Sequence, residues 1–394
     1  MSLLAETPSL KAHTHSGETM VPDQSRAERT RSWEVADFPI PTGREEDWRF
    51  TPVNRLTSLL ADEAATGSLE WTTHLPEGVT LSRTTVDELG RDVLPKPADR
   101  AAAVASAHGE GITLLDIPTE VSVAEPVRMG LVGAERAQVR DHIVVRVGAF
   151  SSATIVLAHT GSSDLSELVT VLAGDSSNVT FVTLQDWKDD THHLGQHDVV
   201  VGRDATVRHI SVSIGGGIVR LNTNVNYAGP GGSFEGLGVY FADAGQHLEH
   251  RLFVDHEVPH CRSNVEYKGA LQGETAQTVW VGDVLIRAAA EGTDTYELNR
   301  NLVLTDGARA DSVPNLEIET GEIVGAGHAS TTGRFDDQQL FYLQSRGIPE
   351  EQARRLVVRG FFNSIVARIG DDELSERIMA AIDEELEGGA EAAA

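Results

Sequence analysis

A chain of 394 residues with 60 acidic against 32 basic side chains, a formal net charge of -28, is a poor ligand for nucleic acid or anionic lipid, because those surfaces attract clustered Lys and Arg. Its single cysteine, Cys261, excludes an internal disulfide framework and any all-cysteine metal site built from this chain alone. The length permits a sizeable core, as one large β domain with helical ends or as two compact domains.

Residues 1–24 are polar and irregular and are expected to be disordered. They lack the basic start and apolar run of a secretory signal. No stretch reaches the roughly 20 apolar residues of a membrane span, so the expected location is cytoplasmic, in a reducing compartment. Residues 25–120 read as an N-terminal helical or mixed cap. Ser25 to Trp33 favours a helix, Phe38 to Pro41 breaks it, and Gly43 to Phe50 leads into a second short helical region.

From residue 121 to 333 the pattern becomes short β runs. Ile143, Val145 and Val147 share one face and His142, Val144 and Arg146 the other. Runs at 153–158, 168–172, 179–184, 206–214, 278–286 and 302–304 repeat this pattern, punctuated by Gly, Asp, Asn or Ser. Turns at 148–153, 174–179, 202–207 and 229–234 recur every 26 to 28 residues, the interval of a repeat architecture. A β-solenoid follows, in which stacked coils share a core and the ends need caps. A β-sandwich competes, but Asn-Gly hairpin signals are missing between the runs.

Residues 334–386 turn helical. Asp336 and Gln339 resemble a capping box for a helix through Arg346, with Gly347 placed to end it. Pro349 opens a second helix with Ala353, Leu356, Val357, Phe361, Ile365 and Ile369 on one face, stopped by Gly370. Leu374, Ile378, Ala381, Ile382 and Leu386 make a third amphipathic helix. The acidic, alanine-rich residues 387–394 are expected to be a disordered tail.

Three stretches carry a family resemblance. The first runs through Pro314, Asn315, Leu316, Glu317 and Ile318, then Gly325, Ala326, Gly327 and His328, to Phe341, Tyr342, Leu343, Gln344, Ser345, Arg346, Gly347 and Ile348. It resembles the C-terminal signature of the SufB and SufD family of iron-sulfur cluster assembly proteins. The run E-E-D-W-R-F-T-P from Glu45 to Pro52, and D-H-E-V-P-H-C-R-S-N-V-E-Y-K-G-A-L from Asp255 to Leu271, are similar to that family's N-terminal and central motifs.

The resemblance implies a mainly β fold, a right-handed parallel β-helix with helical N- and C-terminal regions. It also implies a cytosolic, non-catalytic scaffold that pairs through its β-helix with a SufB-type paralogue, or with itself when isolated. The C-terminal helices would dock a SufC-type ABC ATPase. This chain has no Gly-x-x-x-x-Gly-Lys-Ser/Thr loop with which to be the ATPase itself. It looks like the D type, being short for a B type and with its only thiol distant in sequence from His328.

Many family members carry Cys two residues before the histidine, where this chain has Ala326. His328 is then the side chain of that motif able to reach a nascent iron-sulfur cluster, held transiently and shared with the SufB-type partner, which would supply sulfur ligands. Packing at the last coil is its plainer role.

His247, His250, His256, His260 and Cys261 suggest zinc by residue type, but neighbours an odd number apart on a strand face opposite ways. A solvated solenoid face with one buried thiol is the simpler expectation. His192, His193 and His197 beside Asp189 and Asp190 read as a surface loop. Gly215, Gly216 and Gly217, and Gly229, Gly231 and Gly232 around Pro230, read as solenoid turns rather than phosphate cradles. Phe361, Phe362 and Ile365, with Arg355 and Arg359, are the candidate partner-binding surface. The competing function is a β-helix polysaccharide lyase or hydrolase, which usually carries a secretion signal and aromatic platforms.

Overall fold

Alternating β-branched segments separated by glycine corners build two facing sheets, because each ten-residue strand buries one row of side chains between the sheets and must turn a corner to continue. The computed structural model describes residues 29–335 and 337–392. One sheet holds β1 (Glu70–His74), β4 (Val127–Gly133), β6 (Ser152–Gly161), β8 (Asn178–Trp187), β10 (Thr206–Ser213), β12 (Ser233–Ala242), β14 (Arg262–Leu271), β16 (Asp294–Val303) and β18 (Gly325–Arg334), in that order. The other holds β2 (Thr80–Thr84), β3 (Ile112–Ile117), β5 (Gln138–Val147), β7 (Asp164–Ala173), β9 (His192–Val201), β11 (Ile218–Tyr227), β13 (His247–His256), β15 (Gln277–Ile286) and β17 (Arg309–Ile318).

Apart from β1 and β2, which cover the first coil antiparallel to β4 and β3, every pairing is parallel. The result is a β-solenoid of about eight coils. From β5 and β6 onward, successive strands of a sheet begin 26 to 32 residues apart.

The corner explains the sequence repeat. At the third corner position Phe150, Ser176, Asp204 and His260 have φ of 55 to 61°, and Gly231 and Gly292 take the same left-handed conformation. This turns each backbone N–H toward the next coil: Phe150 N donates to Asp175 O, Ser176 N to Arg203 O, Asp204 N to Pro230 O, and His260 N to Glu291 O. Strain that would be costly at an isolated position is offset coil by coil. The preceding glycines are needed for close stacking, since a Cβ on Gly148 would lie 2.4 Å from Thr119 N and one on Gly174 2.7 Å from Ala149 N.

Inside, Leu115, Ile143, Val169, Val199, Val225, Val254 and Val284 stack in one continuous core. Each fully buried aliphatic contributes about 1.5–3 kcal/mol of transfer free energy. Tyr240 and Tyr267 interlock across β12 and β14, each filling the space where Gly269 and Gly238 respectively lack a Cβ.

Both outer faces are covered too, which is why many strands read as unbroken apolar runs. Helix α2 (Arg100–His108), following the one-turn α1 (Val86–Leu89), lies with residues 33–60 along the β3–β5–β7–β9–β11 face. There Trp48, Leu56, Leu59, Leu60 and Ala101 pack with Leu194 and Ile218. The E-E-D-W-R-F-T-P run is a clamp in this interface. Trp48 stacks 3.9 Å under the Arg220 guanidinium, Thr51 donates to Glu249 at 2.7 Å, and Asp47 pairs with Arg251 at 2.9 Å. Of the residues expected to cap the solenoid, 33–60 run along its side, with 3-10 turns at 35–37, 46–48 and 53–55, while β1 and β2 do cover the first coil. Residues 29–33 of the expected first helix are not helical. The solenoid also begins earlier than residue 121, at β3.

The C-terminal helices α3 (Asp337–Ser345), α4 (Glu350–Val366) and α5 (Asp372–Ala392) turn back over the opposite sheet. Val358, Phe362, Ile365, Val366, Leu374, Ile378 and Ile382 seal the outward row Val182, Leu184, Ile210, Val212, Leu237, Val239 and Phe241. Lys268 Nζ donates to Phe361 O at 3.0 Å and to Ser364 Oγ at 2.6 Å, fixing α4 at its middle. Leu356, expected on the buried face, is 51% exposed. The helix α5 continues to Ala392 through much of the stretch expected to be disordered, because extending an anchored helix costs far less than nucleating one, even across Gly388 and Gly389. Residues 1–24, the capping residue Asp336 and residues 393–394 lie outside the described residues.

Candidate functional site

Both helical regions lie side-on, and no described strand pairs with the final coil. Among the described residues, strands β17 and β18 are the last of their sheets, each ten residues long with one edge that no described strand pairs. Such an edge is a template for another chain. His328 sits on β18 in register with Glu297 of β16. Paired residues of parallel strands face the same way. Ala326 packs against the interior core, and Asn301 donates to Thr332 at 3.3 Å, so Ala326, His328, Ser330 and Thr332 form the inward row of the open coil. His328 is solvent-exposed in the chain by itself, so it is not a packed core histidine.

Beneath it, Glu297 is 1% exposed and neither carboxyl oxygen has a hydrogen-bond partner. Burial, and then the charge of Asp283, push its carboxyl up to about 8. A Cβ on Gly282 would meet Glu297 Oε1 at 2.7 Å and the Trp280 ring at 2.5 Å, so that glycine makes the room the carboxyl occupies.

The other histidines are distributed differently from expectation. His192, His193 and His197 belong to strand β9 and are buried, not in a surface loop. His193 and His197 point inward with His159, His209 and His250. Glu167 accepts from His159 at 2.8 Å, with His193 Nε2 at 3.5 Å and His197 Nε2 at 3.9 Å. Burial alone would raise the Glu167 carboxyl, but the His159 charge and these imidazole contacts hold it well below its ordinary value.

The face expected to be solvated around His247 is likewise buried. His247 points outward to Glu249 at 3.1 Å, while His250 points inward to Ser213 at 3.0 Å and stacks on Tyr240. His256 stacks on Tyr227, and His260 forms a corner. They do not converge. Among the described residues no group of three or more His, Cys, Asp or Glu side chains is arranged to hold a metal ion. Cys261 is buried at the corner position that Ser151, Ser177 and Ala205 fill in other coils, and burial raises its thiol above the usual value. The glycine clusters at 215–217 and 229–232 are corners.

Of the proposed partner surface, Phe362 and Ile365 are fully buried against the solenoid and unavailable in this conformation. Phe361 is half-buried, Arg359 pairs with Asp383, and Arg355 pairs with Glu387. The exposed apolar side chains of this region are instead Phe341 and Tyr342 on α3 and Leu356 on α4. No helix among the described residues is long and apolar enough to cross a membrane.

These features coincide with a family. The model described as "SUF system FeS cluster assembly, SufBD core domain" matches residues 131–361, more than half of the chain. An iron-sulfur cluster assembly SufBD family protein of Mycobacterium bovis is 52% identical over 373 residues, covering 92% of this chain and 94% of the relative. The iron-sulfur cluster assembly protein SufD of Escherichia coli is 26% identical over 67% of this chain and 63% of its own length. SufD of Bacillus subtilis is 25% identical over 73% and 67%. The chain belongs to the SufBD family of the SUF iron-sulfur cluster assembly system.

Proposed function

We propose that this chain is a D-type, non-catalytic scaffold subunit of a cytoplasmic Suf complex. It pairs through its open solenoid end with a SufB-type paralogue and docks a SufC-type ABC ATPase on its C-terminal helices. The observation that carries the reading is the final coil. Two ten-residue strand edges that no described strand pairs flank an exposed histidine, in a fold whose two outer faces are otherwise covered. Edge pairing would satisfy the free backbone groups, and His328 would then lie at the junction, one ligand for a cluster whose sulfur ligands the partner supplies. Burial of Cys261 in a structural corner supports the D type, since this chain then offers no thiolate there. For the ATPase, the exposed Phe341, Tyr342 and Leu356 suit docking better than the buried Phe362 and Ile365.

Native mass spectrometry of the tagged chain, purified anaerobically from its own cells, tests the assembly. A species with a β-helix paralogue and two ATPase copies is expected. Recovery of the monomer or of a self-pair alone would refute it. In such cells His328→Ala should lower iron-sulfur enzyme maturation while the complex still forms, and normal maturation would refute the ligand role. Family membership speaks against the alternative of a polysaccharide-cleaving β-helix.

A further inference from the structure

Most buried carboxylates elsewhere in this protein, inside the solenoid or under its flanking regions, meet partners. Glu167 faces three imidazoles, Glu249 lies between Arg220, Arg251 and His247, and Asp255 holds Arg287 at 2.6 Å. Asp198 takes hydrogen bonds from Gln196 and Asn224. Glu297 breaks the pattern. No other carboxyl among the described residues has both oxygens enclosed and without a hydrogen bond. An isosteric amide or an aliphatic side chain would suit a purely structural interior position better, because an unmet acceptor away from water is destabilising.

The location supplies a use for it. Glu297 is the register partner of His328, on the same inward face, one strand spacing of about 4.8 Å away. The two residues therefore stand one above the other on the last described coils, with the Glu297 carboxyl enclosed beside Gly282 and the exposed His328 above it. Tips of two such side chains can reach one ion, whose contacts to N and O donors run about 2.0–2.2 Å.

We propose that Glu297 is a second donor of the His328 site and that the pair takes ferrous iron itself, rather than only an assembled cluster. This deepens the scaffold reading and rests on its placement of His328 at a metal-handling junction. The donor chemistry selects the occupant. Clusters are held mainly by thiolates, whereas an imidazole with a carboxylate oxygen is the donor set of divalent, sulfur-free iron. The remaining positions would be filled by water or by groups of the partner across the open edge, since the described residues bring no third ligand.

The test is anaerobic equilibrium dialysis of the full-length chain against ferrous ammonium sulfate, with thermal melts of the same iron-free samples. Relative to the parent, Glu297→Gln and His328→Ala should each weaken Fe2+ binding about tenfold or more. Glu297→Gln should melt no lower than the parent, which separates lost binding from lost folding. Glu297→Asp, keeping the charge but withdrawing it by one methylene, should fall between. Parent-like Fe2+ binding by a folded Glu297→Gln overturns the inference, and so does a parent that binds Fe2+ no better than the double variant. Native mass spectrometry of the parent with its partners is read separately. Failure there sinks the scaffold reading, while the dialysis result still decides the role of Glu297.

Discussion

Replacing His142 by leucine isolates one buried titration. His142 faces outward from β5 beneath Trp33, with the ring centroids 6.4 Å apart, and is 1% exposed with both nitrogens unbonded. Burial alone lowers its pKa from 6.5 to about 4. Between those values the unfolded chain binds a proton that the folded chain refuses, so stability rises with pH across the window. The contribution of the neutral ring is fully present above about pH 6.5 and is lost as pH falls toward 4.

At 1.36 kcal/mol per pH unit, moving from pH 7.5 to pH 5 should cost the parent about 2 kcal/mol through this residue, a loss the His142→Leu variant cannot suffer. Urea unfolding followed by tryptophan fluorescence at the two pH values measures it. The variant should be the more stable at both, since it also removes two unmet polar atoms, and its advantage should widen by about 2 kcal/mol at pH 5. An advantage that is the same at both pH values would refute the assignment of a neutral, uncompensated histidine.

Phe362→Ala should cost about 3–5 kcal/mol and free the C-terminal helices, because the ring is fully buried against the solenoid; limited proteolysis that cuts variant and parent equally between α3 and α5 would contradict that packing. Cys261 should alkylate with iodoacetamide at neutral pH orders of magnitude more slowly in the folded chain than in urea, since burial both hides the thiol and raises its pKa; rapid native labelling would show the corner to be open.

The solenoid was legible because its grammar is local. A left-handed corner recurs once per coil, and at 148, 174, 202 and 229 a close-stacked glycine precedes it, so these four positions announce the repeat whatever lies between them. The strand β9 was not legible. His192, His193 and His197 look like a polar loop, and only Glu167, one coil earlier in sequence but on the neighbouring strand, makes a buried set of His193 and His197. Helix α4 shows a second limit. Its apolar side chains spread round the helix from Leu356 through Phe361 to Val358, Phe362 and Ile365, wider than one buried face, and the solenoid face beneath decides which part is covered.

Composition, period and motif thus determine by themselves that this chain coils into stacked β layers, carries helices at its C-terminal end and presents His328 on the last strand. Those properties depend on neighbours within one coil or one helical turn. Which faces the flanking regions cover, that no described strand pairs with the final coil, and that an unbonded Glu297 lies under His328 are decided by the tertiary structure. They depend on pairings between residues far apart in the chain, from Glu297 with His328 to Arg128 with Glu373, whose geometry exists only once the coils have stacked.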